Sequence, residues 1–132
     1  TLFMLKKVEK GLNRLNVGIV YIFGSTAQGI AKRGSDIDIG IVFTDSGVNC
    51  RSLKVYEELY KLFSNIYRNK ETDIVFLQDA HISLQLDAVK HGRVAYQISP
   101  EFRANYEEKI ILQYCDFEPI LRDFDKAILE RI

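Results

Sequence analysis

Along the first fifteen residues apolar side chains recur at Leu2, Leu5, Val8, Leu12 and Leu15, three or four apart, which predicts an amphipathic helix over residues 2–15. Asn16-Val17-Gly18 ends that period, and the apolar run 17–23 reads as a buried strand. Residues 25–32 predict a short helix that Gly29 weakens. Gly34-Ser35 then turns the chain into a second strand, 36–43. On it Ile37, Ile39, Ile41 and Phe43 share one face, while Asp36 and Asp38 lie on the other, so one face is expected toward the core and the other toward a site. After the loop Asp45-Ser46-Gly47, apolar residues at 55, 56, 59, 62, 63 and 66 predict a long helix over 53–67. A third strand follows at 72–77. Asp79 is the expected cap of a helix over 80–90 that Gly92 closes, and 93–98 is a fourth strand. Ser99-Pro100 opens a further helix to about 115. Pro119 is expected to break it from a last amphipathic helix carrying Leu121, Phe124, Ile128 and Leu129. Helices alternating with strands give an α/β class without internal repeats.

Length changes this picture little: 132 residues make one domain, with a core over about 1–98 and C-terminal helices over about 99–132. Charge narrows it more. Lys plus Arg and Asp plus Glu are 18 each, so the basic excess that holds an extended nucleic acid by its phosphates is missing. No apolar run has the length of a membrane span, and no signal peptide shows at the start. Cys50 and Cys115 lack metal-ligand spacing and read as reduced thiols of a cytoplasmic protein.

Candidate chemistry gathers in residues 23–43. Gly24-Ser25 follows the first strand, and a helix opening at Ser25 would aim free backbone N–H groups at an anion, typically a phosphate. Gly24 would allow close backbone approach and Ser25 would donate its hydroxyl; Ser35, in the turn ahead of the acids, is a further nucleotide-binding candidate. Asp36 and Asp38, two apart on a strand, point to one face about 6.6 Å apart, an arrangement suited to hard divalent cations that bridge nucleotide phosphates. Asp73, near the start of the third strand, is the third candidate ligand if its strand lies beside 36–43. Three carboxylates suit two Mg²⁺ ions about 3.5–4 Å apart, with Asp73 as general base or base-positioner for an acceptor hydroxyl that attacks the α-phosphorus. Taken singly, Gly-Ser is a turn, Asp-x-Asp a solvated strand end and Asp73 a strand boundary; the functional reading rests on their joint order. Lys32 and Arg33 read as exposed turn charges, and His81 and His91 as surface or helix-end residues.

Gly24-Ser25, Asp36 and Asp38 match GS-x10-DxD without a gap, and at these residues the chain resembles the nucleotidyltransferase superfamily that includes DNA polymerase β. Its size is similar to the minimal nucleotidyltransferases. The segments TDIVFLQDA, LDAVKHGRVAY and YCDFEPILRDFDKAILERI are similar to the MntA-type antitoxins of HEPN/MNT toxin–antitoxin pairs. The resemblance implies a polymerase β-like core, a small mixed sheet flanked by helices, and Mg²⁺ with ATP as substrate. It further implies transfer of AMP to a tyrosine hydroxyl of a HEPN-family ribonuclease toxin, silencing that partner. Gln28 departs from the pattern, because many relatives carry Arg there. Two other readings stay open: transfer to a small hydroxylated molecule such as an aminoglycoside, and neutralisation of the partner by occlusion without catalysis.

Overall fold

In the computed structural model, residues 2–23, 37–45, 52–68 and 70–130 are described, the side chains of 2–5 and 117–130 excepted. The short helix expected over 25–32 lies outside the described residues. The elements follow as α1 (Leu2–Arg14), β1 (Val17–Phe23), β2 (Ile37–Phe43), α2 (Leu53–Ile66), β3 (Thr72–Phe76), a 3-10 turn (Leu77–Asp79), α3 (Ile82–His91), β4 (Arg93–Gln97) and α4 (Pro100–Glu130). Asn16 turns α1 into β1 with a φ of 62°, a left-handed conformation that Asn tolerates better than most residues. Ser52 caps α2, its hydroxyl accepting from the Val55 N–H at 3.3 Å. The Ser99 hydroxyl does the same for the Phe102 N–H at 3.0 Å at the start of α4.

The four strands lie in the order β3-β2-β1-β4. β1 is antiparallel to both β2 and β4, and β2 is parallel to β3. β2, β3 and β4 therefore start at one end of the sheet, where β1 ends. The parallel step from β2 to β3 needs a crossover, which α2 provides.

Both faces of this sheet are covered. Against one, α1 and α2 enclose Leu12, Val17, Val20, Ile37, Ile39 and Ile41, together with Leu59 and Phe63. Against the other, α3 and α4 enclose Ile19, Tyr21, Val42, Leu86, Tyr106 and Ile110. All seven residues of β2 are buried. The isoleucines face a core as expected, but the opposite face is a second core rather than an open site surface. Strand alternation reports that the two faces differ; it does not report that a later pair of helices covers the second.

This second core carries polar groups, each with a partner. Tyr106 donates to Gln85 Oε1 at 2.9 Å, and Gln85 Nε2 donates to the Ala80 carbonyl at 2.9 Å. Tyr21 donates to Glu107 Oε2 at 3.0 Å, while Arg103 pairs with Glu107 Oε1 at 3.3 Å. At the far end of the sheet Gln78 replaces a missing strand residue. Its Oε1 accepts from the Phe43 N–H at 2.8 Å, and its Nε2 donates to the Phe43 carbonyl at 3.1 Å.

Two expected boundaries are corrected. Asp79 does not cap α3, because the chain first makes the 3-10 turn; the cap is His81, whose Nδ1 accepts from the Ser83 N–H at 3.2 Å. Pro119 does not break the last helix: α4 runs unbroken from Pro100 to Glu130. A helical proline removes one N–H and crowds the carbonyl four residues back. Here that carbonyl belongs to exposed Cys115, where water can take the freed bond.

Candidate functional site

The end of the sheet where β1 stops and the other three strands start is where the sequence places its chemistry. The β2–β3 register pairs Asp38 with Asp73, and the β1–β2 register pairs Asp38 with Phe23. One row across the sheet therefore reads Asp73, Asp38, Phe23. Paired residues in a ladder point to the same face, so the two carboxylates share the face covered further along by α3 and α4. The Ile37 N–H donates to the Glu71 carbonyl at 3.1 Å, fixing the starts of the two parallel strands against each other. Asp38 is 4% exposed, whereas Asp73 on the edge strand is exposed.

Gly40 holds this corner close. It lies two residues beyond Asp38 on the same face, and a Cβ there would stand 2.8 Å from Leu77 Cδ1 and 3.2 Å from Phe23 Cε1. Only a residue without a side chain lets Phe23 and Leu77 close over β2 behind the acid. The Asp38-Ile39-Gly40 order carries that information, although its meaning needs the packing.

The structure thus brings together Asp38 and Asp73, as the sequence anticipates, and puts the last residue before Gly24-Ser25 beside them. Gly24, Ser25, Gln28, Ser35 and Asp36 lie outside the described residues. Among the described residues no group of three or more His, Cys, Asp or Glu side chains is placed to hold a metal ion. The described share of a cation site is therefore Asp38 with Asp73. Two carboxylates on one face of adjacent strands form an all-oxygen donor set of the kind Mg²⁺ takes.

Perturbed ionisation is found on two tyrosines of the core behind the acid row. Burial, reinforced by the Glu107 carboxylate, raises the phenol pKa of both Tyr21 and Tyr106 well above the ordinary value. These tyrosines stay neutral hydrogen-bond donors, Tyr21 tying β1 to α4 and Tyr106 tying α4 to α3. His81 caps α3 and His91 ends it, 4.0 Å from Asp87, which agrees with their reading as helix-end residues.

The chain belongs to the polymerase β nucleotidyltransferase family, whose sequence model matches residues 6–101. No curated protein matches it. Among solved structures, a chain of a toxin–antitoxin complex with AMP-PNP is 24% identical, with 95% of this chain and 98% of that one aligned at a TM-score of 0.66. A chain of the toxin–antitoxin complex MntA–HepT is 21% identical, with 98% and 99% aligned at 0.67. A third match is a complex of tri-AMPylated Shewanella oneidensis HEPN toxin with MNT antitoxin, at 21% identity, 97% and 98% aligned and a TM-score of 0.65. These likenesses establish the fold over nearly the whole chain. Among the described residues no helix is long and apolar enough to cross a membrane.

Proposed function

We propose that the protein is an MntA-like antitoxin that transfers AMP from ATP to a tyrosine hydroxyl of a HEPN ribonuclease toxin and so neutralises it. The observation that carries this reading is the row Asp73–Asp38–Phe23, which sets two carboxylates side by side next to the strand that leads into Gly24-Ser25. Membership of the nucleotidyltransferase family and similarity to chains of toxin–antitoxin complexes, one with AMP-PNP and one with a tri-AMPylated toxin, support it.

In the reaction the acceptor oxygen bonds to the α-phosphorus, the bond to the β-phosphate oxygen breaks, and pyrophosphate departs. The acceptor proton leaves to a base. Asp73 is the residue for that task, since its exposed edge position lets an incoming side chain reach it. Asp36, Asp38 and Asp73 would hold the metal, and Gly24, Ser25 and Ser35 the nucleotide. Mg²⁺ bound there would supply charge neutralisation to the triphosphate. Buried Asp38 is fixed from both sides by its neighbouring strands, so it orients rather than moves.

The test mixes the protein with ATP, Mg²⁺ and the product of its neighbouring gene, and weighs that product by mass spectrometry. A gain of AMP that disappears with Asp38→Asn or Asp73→Asn is the expected result. Neutralisation without any mass change, surviving both substitutions, would replace this reading with occlusion, the alternative that Gln28 in place of Arg leaves open.

A further inference from the structure

The inward line of α4 outlasts the body it packs against. α4 begins beside the start of β1, where Phe102 fills the space that a side chain on Gly18 would need, and Glu107 accepts from Tyr21 further along the strand. The helix therefore runs with β1, toward the end where Phe23 pairs with Asp38. Tyr106 and Ile110 are buried on this line, and Tyr114 still packs against the core. Gln113 lies two turns after Tyr106, at nearly the same angle, yet it is exposed. The body has ended there, and residues 115–130, roughly 24 Å of helix, reach past the sheet at its acid end. The amphipathic pattern does not end with the body. From Ile110 the apolar positions continue at Tyr114, Phe117, Leu121, Phe124 and Ile128, in strictly alternating steps of four and three. That is a heptad seam, the spacing by which one helix takes another alongside it, and Pro119 falls at the heptad position opposite it.

We infer that residues 110–128 of α4 are a docking seam for an amphipathic helix of the acceptor protein, one that carries Lys or Arg beside its own apolar stripe. The inference rests on the transferase reading and adds to it how the acceptor is held. Charge chooses the occupant. Over 115–130 five acidic residues stand against two basic ones. Glu118 and Asp125 occupy one flank of the heptad seam, while Gln113, Ile120 and Ala127 leave the other flank uncharged. A second copy of the chain fits poorly: antiparallel pairing would set Glu118 and Asp125 against each other, and parallel pairing would set them against uncharged Gln113 and Ile120. A basic helix meets both acids. Position then favours the acceptor among basic partners, since the seam leads past the end of the sheet that carries Asp38 and Asp73. A stripe that served only to pack on this chain's own sheet would keep Gln113 buried.

Transfer to the neighbouring gene's product is measured over a range of acceptor concentrations, beside calorimetric binding of the same acceptor without nucleotide. Glu118→Lys with Asp125→Lys should raise the acceptor KM and Kd about tenfold, with kcat within about twofold and with AMP-PNP affinity and melting temperature unchanged. Glu118→Gln with Asp125→Asn, which removes the charge without reversing it, should give a smaller rise. Phe124→Asp, in the seam itself, should give one at least as large as the reversal. An unchanged acceptor Kd in all three overturns the seam while the transferase reading stands. So does a dimer of the free chain that Phe124→Asp dissolves, since the seam would then belong to a second copy. Acceptor binding that weakens as expected, with no transfer by the unsubstituted protein, upholds the docking seam and overturns the transferase reading.

Discussion

The two faces of the sheet are built to different rules. Beneath α1 and α2 the packing is almost wholly aliphatic and aromatic, with Leu59 and Ile39 fully buried. Beneath α3 and α4 the same strands meet Tyr21, Tyr106, Gln85 and Glu107, and at the far edge Asp38. The difference separates two tasks. A dry face holds the sheet by apolar burial alone. A hydrogen-bonded face fixes positions, since each polar group there has a partner in one geometry only, and the acid row sits at its margin.

If the dry face supplies the stability, Leu59→Ala should have the largest effect, a loss of about 2–5 kcal/mol in denaturant melts. An effect below about 1 kcal/mol would mean that the division is wrong. Next comes Gly40→Ala. With Leu77 and Phe23 already at the limit of approach, the added methyl should cost about 1–3 kcal/mol, and it should lower transfer more than an equally destabilising change on the dry face. Equal losses would show that the corner does not position Asp38.

Smaller still is the expected gain from Asp38→Asn. Relieving the repulsion between adjacent carboxylates should raise the stability of the metal-free protein by about 1 kcal/mol while abolishing transfer. A fall in melting temperature would identify Asp38 as a structural acceptor instead. The smallest effect is alkaline. Tyr21 and Tyr106 have folded pKa values above the unfolded value of about 10, so the folded state keeps protons that the unfolded chain gives up. Their contribution is complete below about pH 10 and lost as pH rises above it. Melting temperature should be flat with respect to these groups through neutral pH and fall above about 10, less steeply in Tyr21→Phe; an unchanged slope would sever Tyr21 from the effect.

Much of this architecture was legible in the order of residues. The apolar periods located the four strands and α1, α2 and α3 to within a residue or two but split α4 in two, and alternation on 36–43 separated the isoleucines from the acids. The adjacency of Asp38 and Asp73 was stated as a condition, because periodicity carries no information on which strands pair; the parallel β2–β3 ladder meets it. What stayed hidden depends on partners distant in the chain. The second core needs α3 and α4 folded back over Val42 and Tyr21. The cap at His81 depends on a 3-10 turn that Asp79 joins. The passage of α4 through Pro119 depends on Cys115, four residues back, being exposed, which a rule about proline does not specify. Gly24, Ser25, Ser35 and Asp36 stand on their spacing and resemblance alone.

Gln78 has a consequence for where the second layer can begin. A side-chain amide reproduces a peptide's donor and acceptor, so Phe43 keeps both its bonds although the neighbouring strand has already turned aside. The route out of the sheet is thus uncoupled from the length of the central strand: the chain can leave early, swing across and lay down α3 without fraying the rung it abandons. Gln78→Glu would keep the acceptor but forfeit the donor, opening that last rung from one side.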